Sequence, residues 1–172
     1  MSTPPPTAAD PALTDVAEIE RALTRISYLT SRVRQHERLM AMAGLPLDRA
    51  AVALLRQVAD SGSLRPSELA NLLSVEASHV TRQVQQLEKT GYLTRVPDPN
   101  DRRAQRIELT PAGRDAVDRV REASCRGMSV ALADWSPHDL EQLATLCHRL
   151  VDDFFEHAED EIDLTPEVPR KA

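Results

Sequence analysis

The chain has two cysteines, five glycines and no long apolar run in its 172 residues, and each shortage excludes a class of protein. About 20 consecutive apolar residues are needed to span a bilayer, so no transmembrane helix and no membrane partner is expected. The opening Met1-Ser-Thr-Pro-Pro-Pro6 has neither a basic start nor an apolar stretch after it. No signal peptide is therefore expected, and the expected location is the cytoplasm. Cys125 and Cys147 cannot build a disulfide framework, and the expectation is two small buried apolar side chains. Few glycines leave little loop machinery for an active site. A glycine-rich phosphate loop, a zinc-protease helix, a Cys-x-x-Cys pair and a nucleophile elbow are all missing. His36, His79, His138, His148 and His157 include no pair spaced four apart, so no metal site is expected. The reading is a protein without catalytic residues, metal or cofactor.

What is present is a soluble, globular composition, 41% hydrophobic and 28% charged. The net charge of −6 speaks against nucleic acid only when averaged over the chain. Residues 152–172 carry eight acids against two bases, whereas residues 62–114 carry eight bases against six acids. Local fields steer DNA, so the mildly basic middle matters more than the acidic end.

Along the chain, residues 1–11 hold little to bury and are expected to form a disordered arm. From Asp15 to about Met42, the residues Val16, Ile19, Leu23, Ile26 and Val33 predict one long amphipathic helix whose stripe needs a partner, such as a second copy of the chain. Asp48 caps a helix with Val52, Leu55, Val58 and Ala59 inward, and Pro66 opens a short helix through Leu73. Ser74 caps the next helix, which ends at Gly91. Tyr92–Val96 and Gln105–Leu109 alternate as half-buried strands around a Pro97–Arg103 turn, a β-hairpin. Thr110-Pro111 and Ser136-Pro137 start two further helices. The last has a stripe of Leu140, Leu143, Cys147, Leu150, Val151 and Phe154.

Helix, short helix, tight turn, helix and hairpin is the order of a winged helix-turn-helix. In the Ser74–Thr90 segment, Ala77, Val80, Val84 and Leu87 fall on one side. Ser78, Arg82, Gln85, Gln86 and Lys89 fall on the other, with His79 on the flank. Arg forks onto guanine, Gln pairs with adenine and Ser serves either, so the outer face suits base edges and phosphates. An ordinary solvated helix face has the same composition. The hairpin tip carries Asp98, Asp101, Arg102 and Arg103, where an Asp-x-Arg pair can orient a guanidinium for a narrow minor groove. A charged surface turn is the alternative.

Residues 45–113 resemble the winged-helix core of the MarR family. The matching residues are Leu69-Ala70, Val80-Thr81-Arg82, Leu87–Arg95, Asp98, Asp101-Arg102-Arg103 and Leu109-Thr110-Pro111-Ala112-Gly113. The resemblance implies a mostly α fold with a small β-hairpin wing, the winged core being flanked by long dimerisation helices. The expected organisation is a disordered arm (1–11), an N-terminal dimerisation helix (12–44), a DNA-binding lobe (45–110), C-terminal dimerisation helices (111–158) and an acidic tail (159–172). It implies a homodimer on a pseudo-palindromic operator, a transcriptional regulator of the repressor kind, with recognition helices about 34–36 Å apart on double-stranded DNA. Ser78, His79 and Arg82 are placed at bases or nearby backbone. Arg103 becomes the wing arginine with Asp101 as its orienting partner, and Thr81 and Arg95 become phosphate contacts or lobe-stabilising groups. Arg65 departs from the family, which usually has a small capping residue there, and either reaches a phosphate or is simply solvated. Release by a small aromatic or anionic effector is also implied, in a crevice lined by Tyr28, Arg32, His36, Met40 and Met42. Plain dimer-interface packing is the favoured reading of those five residues, since apolar stripes usually mean core. Thiol sensing near the first helix is not expected, since no cysteine precedes Cys125. The alternatives are a winged helix used for protein contact without specific DNA binding, and a regulator that needs no effector.

Overall fold

The computed structural model describes residues 11–101 and 103–159. They fall into two compact units, one reaching Gly127 and one beginning at Met128. The elements are α1 (Pro11–Thr30), α2 (Val33–Ala43), α3 (Arg49–Ser61), α4 (Pro66–Leu72), α5 (Ala77–Lys89), β1 (Leu93–Pro97), β2 (Gln105–Leu109), α6 (Pro111–Ala131) and α7 (Pro137–Glu159). The class is mostly α with one antiparallel hairpin. No helix among the described residues is long and apolar enough to cross a membrane.

The single N-terminal helix expected from periodicity is two helices. Thr30 Oγ1 donates to the Ile26 and Ser27 carbonyls (3.0 and 3.1 Å), and Ser31 Oγ donates to the Tyr28 carbonyl (2.9 Å). Such hydroxyl back-bonds compete with the helical ladder. Arg32 then adopts an extended conformation (φ −65°, ψ 136°) as N-cap of α2. The apolar stripe spans the break but cannot report it. Pro11, expected in the disordered arm, is the first residue of α1, and the rest of that arm lies outside the described residues, as does the tail from residue 160.

Helix α3 starts where Asp48 Oδ1 accepts the Ala51 N–H at 2.7 Å. Its buried face is Ala51, Val52, Leu54, Leu55 and Val58, and Ala59, expected inside, is exposed. Val52, Leu55 and Val58 are thus inward as expected, and Ala51 and Leu54 join them to complete the i, i+3, i+4, i+7 stripe 51-54-55-58. One cluster gathers Leu54, Leu55, Leu69, Val84, Leu87 and Ile107 from α3, α4, α5 and β2. A second joins Met40 and Ala43 of α2 to Val52 of α3 and to Ala116, Val120 and Ala123 of α6. Each fully buried Leu, Ile or Val contributes roughly 1.5–3 kcal/mol, enough for the α3–α5 lobe to be held as one block.

In the hairpin Leu93 faces Leu109 and Arg95 faces Ile107. Tyr92, expected as the first strand residue, closes the α5 turn instead, its N–H donating to the Leu87 carbonyl at 2.9 Å. Leu64 adds a bridge to Ile107, with N–H to O=C bonds of 3.1 and 2.7 Å, and so fastens the start of α4 to the hairpin. Thr110 caps α6, its Oγ1 accepting the Gly113 N–H (3.0 Å) and donating to the Gly91 carbonyl (2.6 Å). A Cβ at residue 113 would run into the Tyr92 carbonyl oxygen and crowd Leu109 Cδ2 at 3.1 Å. The Leu-Thr-Pro-Ala-Gly run is thus a packing requirement where hairpin meets helix.

In the second unit, Ser136 Oγ accepts the Asp139 N–H at 3.1 Å and starts α7 as expected. The α7 stripe of Leu140, Leu143, Cys147, Val151 and Phe154 is exposed, with Leu150 half-buried.

Candidate nucleic-acid interface

The turn between α4 and α5 differs from expectation. Ser74 does not cap α5. It takes a left-handed conformation (φ 51°) that closes α4, where the Ser74 and Val75 N–H groups reach the Asn71 and Ala70 carbonyls (3.0 Å each). Glu76, extended at φ −60°, ψ 135°, occupies the N-cap position, so α5 begins at Ala77, which is exposed rather than inward. Polar residues near a helix start are ambiguous between closing one helix and opening the next.

Beyond that point α5 divides as predicted. Val80, Val84 and Leu87 are at most 2% exposed, whereas Ser78, Thr81, Arg82, Gln85, Gln86 and Lys89 face solvent and His79 is half-buried. Arg82 Nη2 donates to His79 Nδ1 at 3.1 Å, which leaves the Nε2–H form of that ring as an outward donor. Thr81 Oγ1 donates to the Ala77 carbonyl (2.8 Å), so only its lone pairs remain for a ligand.

At the wing, Asp101 Oδ1 accepts the main-chain N–H of Arg103 at 3.0 Å. The expected carboxylate–guanidinium pairing of these two is replaced by a turn contact, because a carboxylate two residues before a free N–H closes an Asx turn. Arg103 is exposed, and Arg102 lies outside the described residues. Asp98, expected among the charges of the tip, is 3% exposed. Its Oδ1 accepts the Asn100 and Asp101 N–H groups (2.8 and 3.2 Å), and its Oδ2 accepts Arg65 Nε (2.7 Å) and Arg106 Nη1 (3.4 Å). The Arg65 hydrogen bond, then that from Asn100, hold the Asp98 carboxyl far below the usual carboxylate range against the opposing effect of burial. Arg106 also donates to the Ser63 carbonyl and hydroxyl and to Glu68 Oε2, and Glu68 in turn accepts the Arg65 N–H at 2.8 Å. Arg65 is therefore not simply solvated. Arg95 Nε donates to Glu88 Oε1 at 2.9 Å, an ion pair between β1 and α5.

Asp98, Arg106 and Glu68 were missed as a unit. The available signal was Arg65 itself, a long cation where a small cap is usual, which needs an anion from elsewhere in the lobe.

The five residues expected around an effector lie along the end of α1, the break after it and α2. Arg32 lies over the Tyr28 ring (4.8 Å to the centroid), and His36 Nε2 donates to the Leu47 carbonyl at 2.9 Å. Met40 is in the core and Met42 is exposed. A cavity of about 390 Å³ lies elsewhere, lined among others by Val58, Leu109, Arg114 and Val117. Cys125 and Cys147, expected buried, are both exposed. Cys125 lies on α6 and Cys147 within the exposed apolar stripe of α7.

Residues 47–104, which include α3, α4, α5 and β1, match the family model described as MarR family. Several of the curated proteins the chain matches are named as HTH-type transcriptional regulators. The chain is 33% identical over 93 residues to the multiple antibiotic resistance protein MarR of Salmonella typhimurium, which covers 53% of this chain and 63% of that one. It is 30% identical over 99 residues to the HTH-type transcriptional regulator PecS of Dickeya dadantii, covering 58% and 60% respectively. The match thus spans less than two thirds of the length of these two relatives. The fold is that of a MarR family protein from Bacillus stearothermophilus (TM-score 0.73, 22% identity, 86% of this chain and 99% of that one). It is similar also to the transcriptional regulator Tm0710 of Thermotoga maritima (TM-score 0.64, 26% identity, 84% and 99%).

Proposed function

We propose that this chain is a MarR-family transcriptional regulator that binds a pseudo-palindromic operator as a homodimer and represses transcription by occupying it. The observation that carries the reading is α5. One face is locked into the lobe by Val80, Val84 and Leu87 while Ser78, Arg82, Gln85, Gln86 and Lys89 are left to solvent. A helix held that rigidly can present Arg and Gln to base edges in a major groove, and Arg103 on the wing suits the neighbouring minor groove. The exposed stripe of Val16, Ile19, Leu23 and Ile26 on α1 supports a second copy as its cover. A dimer spanning two grooves excludes polymerase from the same duplex, hence repression. The test is a mobility shift with the DNA upstream of the protein's own gene at moderate salt. Retention of that duplex with random competitor present is expected, and Arg103→Ala should weaken it. Equal binding by the Arg103→Ala variant would remove the wing from the account, and no shift at all would favour a protein-contact module.

A second reading, regulation without an effector in the expected crevice, is favoured by the packing of Met40 and the His36–Leu47 bond. Both residues already serve the lobe. Addition of a simple aromatic acid such as benzoate should then leave duplex affinity unchanged, whereas release would restore the effector crevice.

A further inference from the structure

A protein that places α5 in a major groove and a wing in the adjacent minor groove must let one sugar–phosphate strand pass between them, over the seam joining the helix-turn-helix to the hairpin. Arg65 stands at that seam, at the N-cap position of α4, and its partner Asp98 stands at the first residue of the wing turn after β1. Nothing in the capping of α4 requires this arginine. The end of the helix is satisfied by Glu68, whose carboxylate takes the Arg65 main-chain N–H, and by the fixed φ of Pro66. The guanidinium donates from Nε to Asp98 Oδ2 at 2.7 Å, and among the described residues neither Nη donates a hydrogen bond. The side chain keeps 37% of its surface exposed while that of Asp98 is fully covered.

We infer that Arg65 is a backbone-phosphate site, aimed outward by the buried Asp98 carboxylate, on the strand between the two grooves. The inference rests on the DNA-binding reading above. Its chemistry is that of a guanidinium whose inner edge is fixed on an anion, leaving an outer pair of N–H groups preorganised for a second one. Asp98 does not cancel the charge offered, because the same carboxylate is shared with Arg106 and with two main-chain N–H groups. Arg106 differs, since its donors go to Ser63, Glu68 and Asp98, so it braces the seam without facing outward. Asp98 is thereby a positioning residue. It also fixes the Asn100 and Asp101 N–H groups, so strand position and wing geometry are set by one buried anion.

The experiment is fluorescence anisotropy of the full chain on its operator and on a random duplex, across a salt series. Wild type, Arg65→Gln, Arg65→Lys and Asp98→Asn are compared, with a thermal melt of each. Arg65→Gln is expected to weaken both duplexes by a similar factor, about three- to tenfold at moderate salt. It should also make the slope of log affinity against log salt shallower by about 0.9, one phosphate's worth. Arg65→Lys should keep the slope and lose part of the affinity. Asp98→Asn should keep the charge yet weaken binding, because the guanidinium is no longer aimed. An Arg65→Gln protein that melts earlier but keeps the wild-type slope marks a purely structural Arg65 and overturns the inference, as does a loss confined to the operator. Failure of the wild type to bind either duplex strikes the DNA-binding reading instead, so the two failures are distinguishable.

Discussion

At the scale of single residues, the strongest constraint in the lobe is the Asp98 carboxylate. It has an electrostatic consequence with a definite sign. Its folded pKa is depressed, first by the hydrogen bond from Arg65, while an unfolded chain titrates near about 3.9. The stability it contributes is fully present above that unfolded value and is lost as pH falls through the depressed one. Asp98→Asn should therefore be less stable at neutral pH and show a shallower fall in stability between about pH 5 and pH 2. Chemical denaturation at a series of pH values checks this. Parallel curves for the two proteins would mean that Asp98 is not the titrating anchor. Residue types on the outer face of α5 were legible in the sequence because helical period alone assigns them. The Asp98 network was not, because Arg65 and Asp98 are 33 positions apart and no local rule joins them.

At the scale of elements, sequence signals worked where a capping side chain and its helix start coincide, and failed where a polar residue had two possible uses. Asp48 caps α3 by its side chain, and Asp48→Ala should cost about 1 kcal/mol of stability in a thermal or urea melt. Ser74 is likewise a capping type but closes α4 instead, left-handed at φ 51°, with its N–H on the Asn71 carbonyl and that of Val75 on the Ala70 carbonyl. The break between α1 and α2 was equally silent. Val16, Ile19, Leu23, Ile26 and Val33 keep their spacing across it, while the decisive contacts are the hydroxyls of Thr30 and Ser31. For α5 the function lies in the element's two-sidedness. Arg82→Ala should cost about 1–3 kcal/mol on the operator and much less on a random duplex if the side chain reads a guanine. Parallel titrations on both duplexes decide it, and equal losses would assign Arg82 to the backbone.

At the scale of the whole molecule, the first unit packs its lobe tightly yet leaves α1 with no buried side chain among the described residues. Val16, Ile19, Leu23 and Ile26 are 40–60% exposed, and burying that stripe against a second copy is worth on the order of 25 cal/mol per Å² of apolar surface removed from water. Net charge misleads at this scale, because the overall −6 conceals eight acids gathered in residues 152–172. The central claim is that two chains together present two α5 helices and two wings to one duplex. Sedimentation of the purified protein with a labelled operator, across a dilution series, tests it most directly. The account predicts two chains per duplex at saturation and a free protein that is dimeric at working concentration. A free monomer that saturates the operator at one chain per duplex would contradict it.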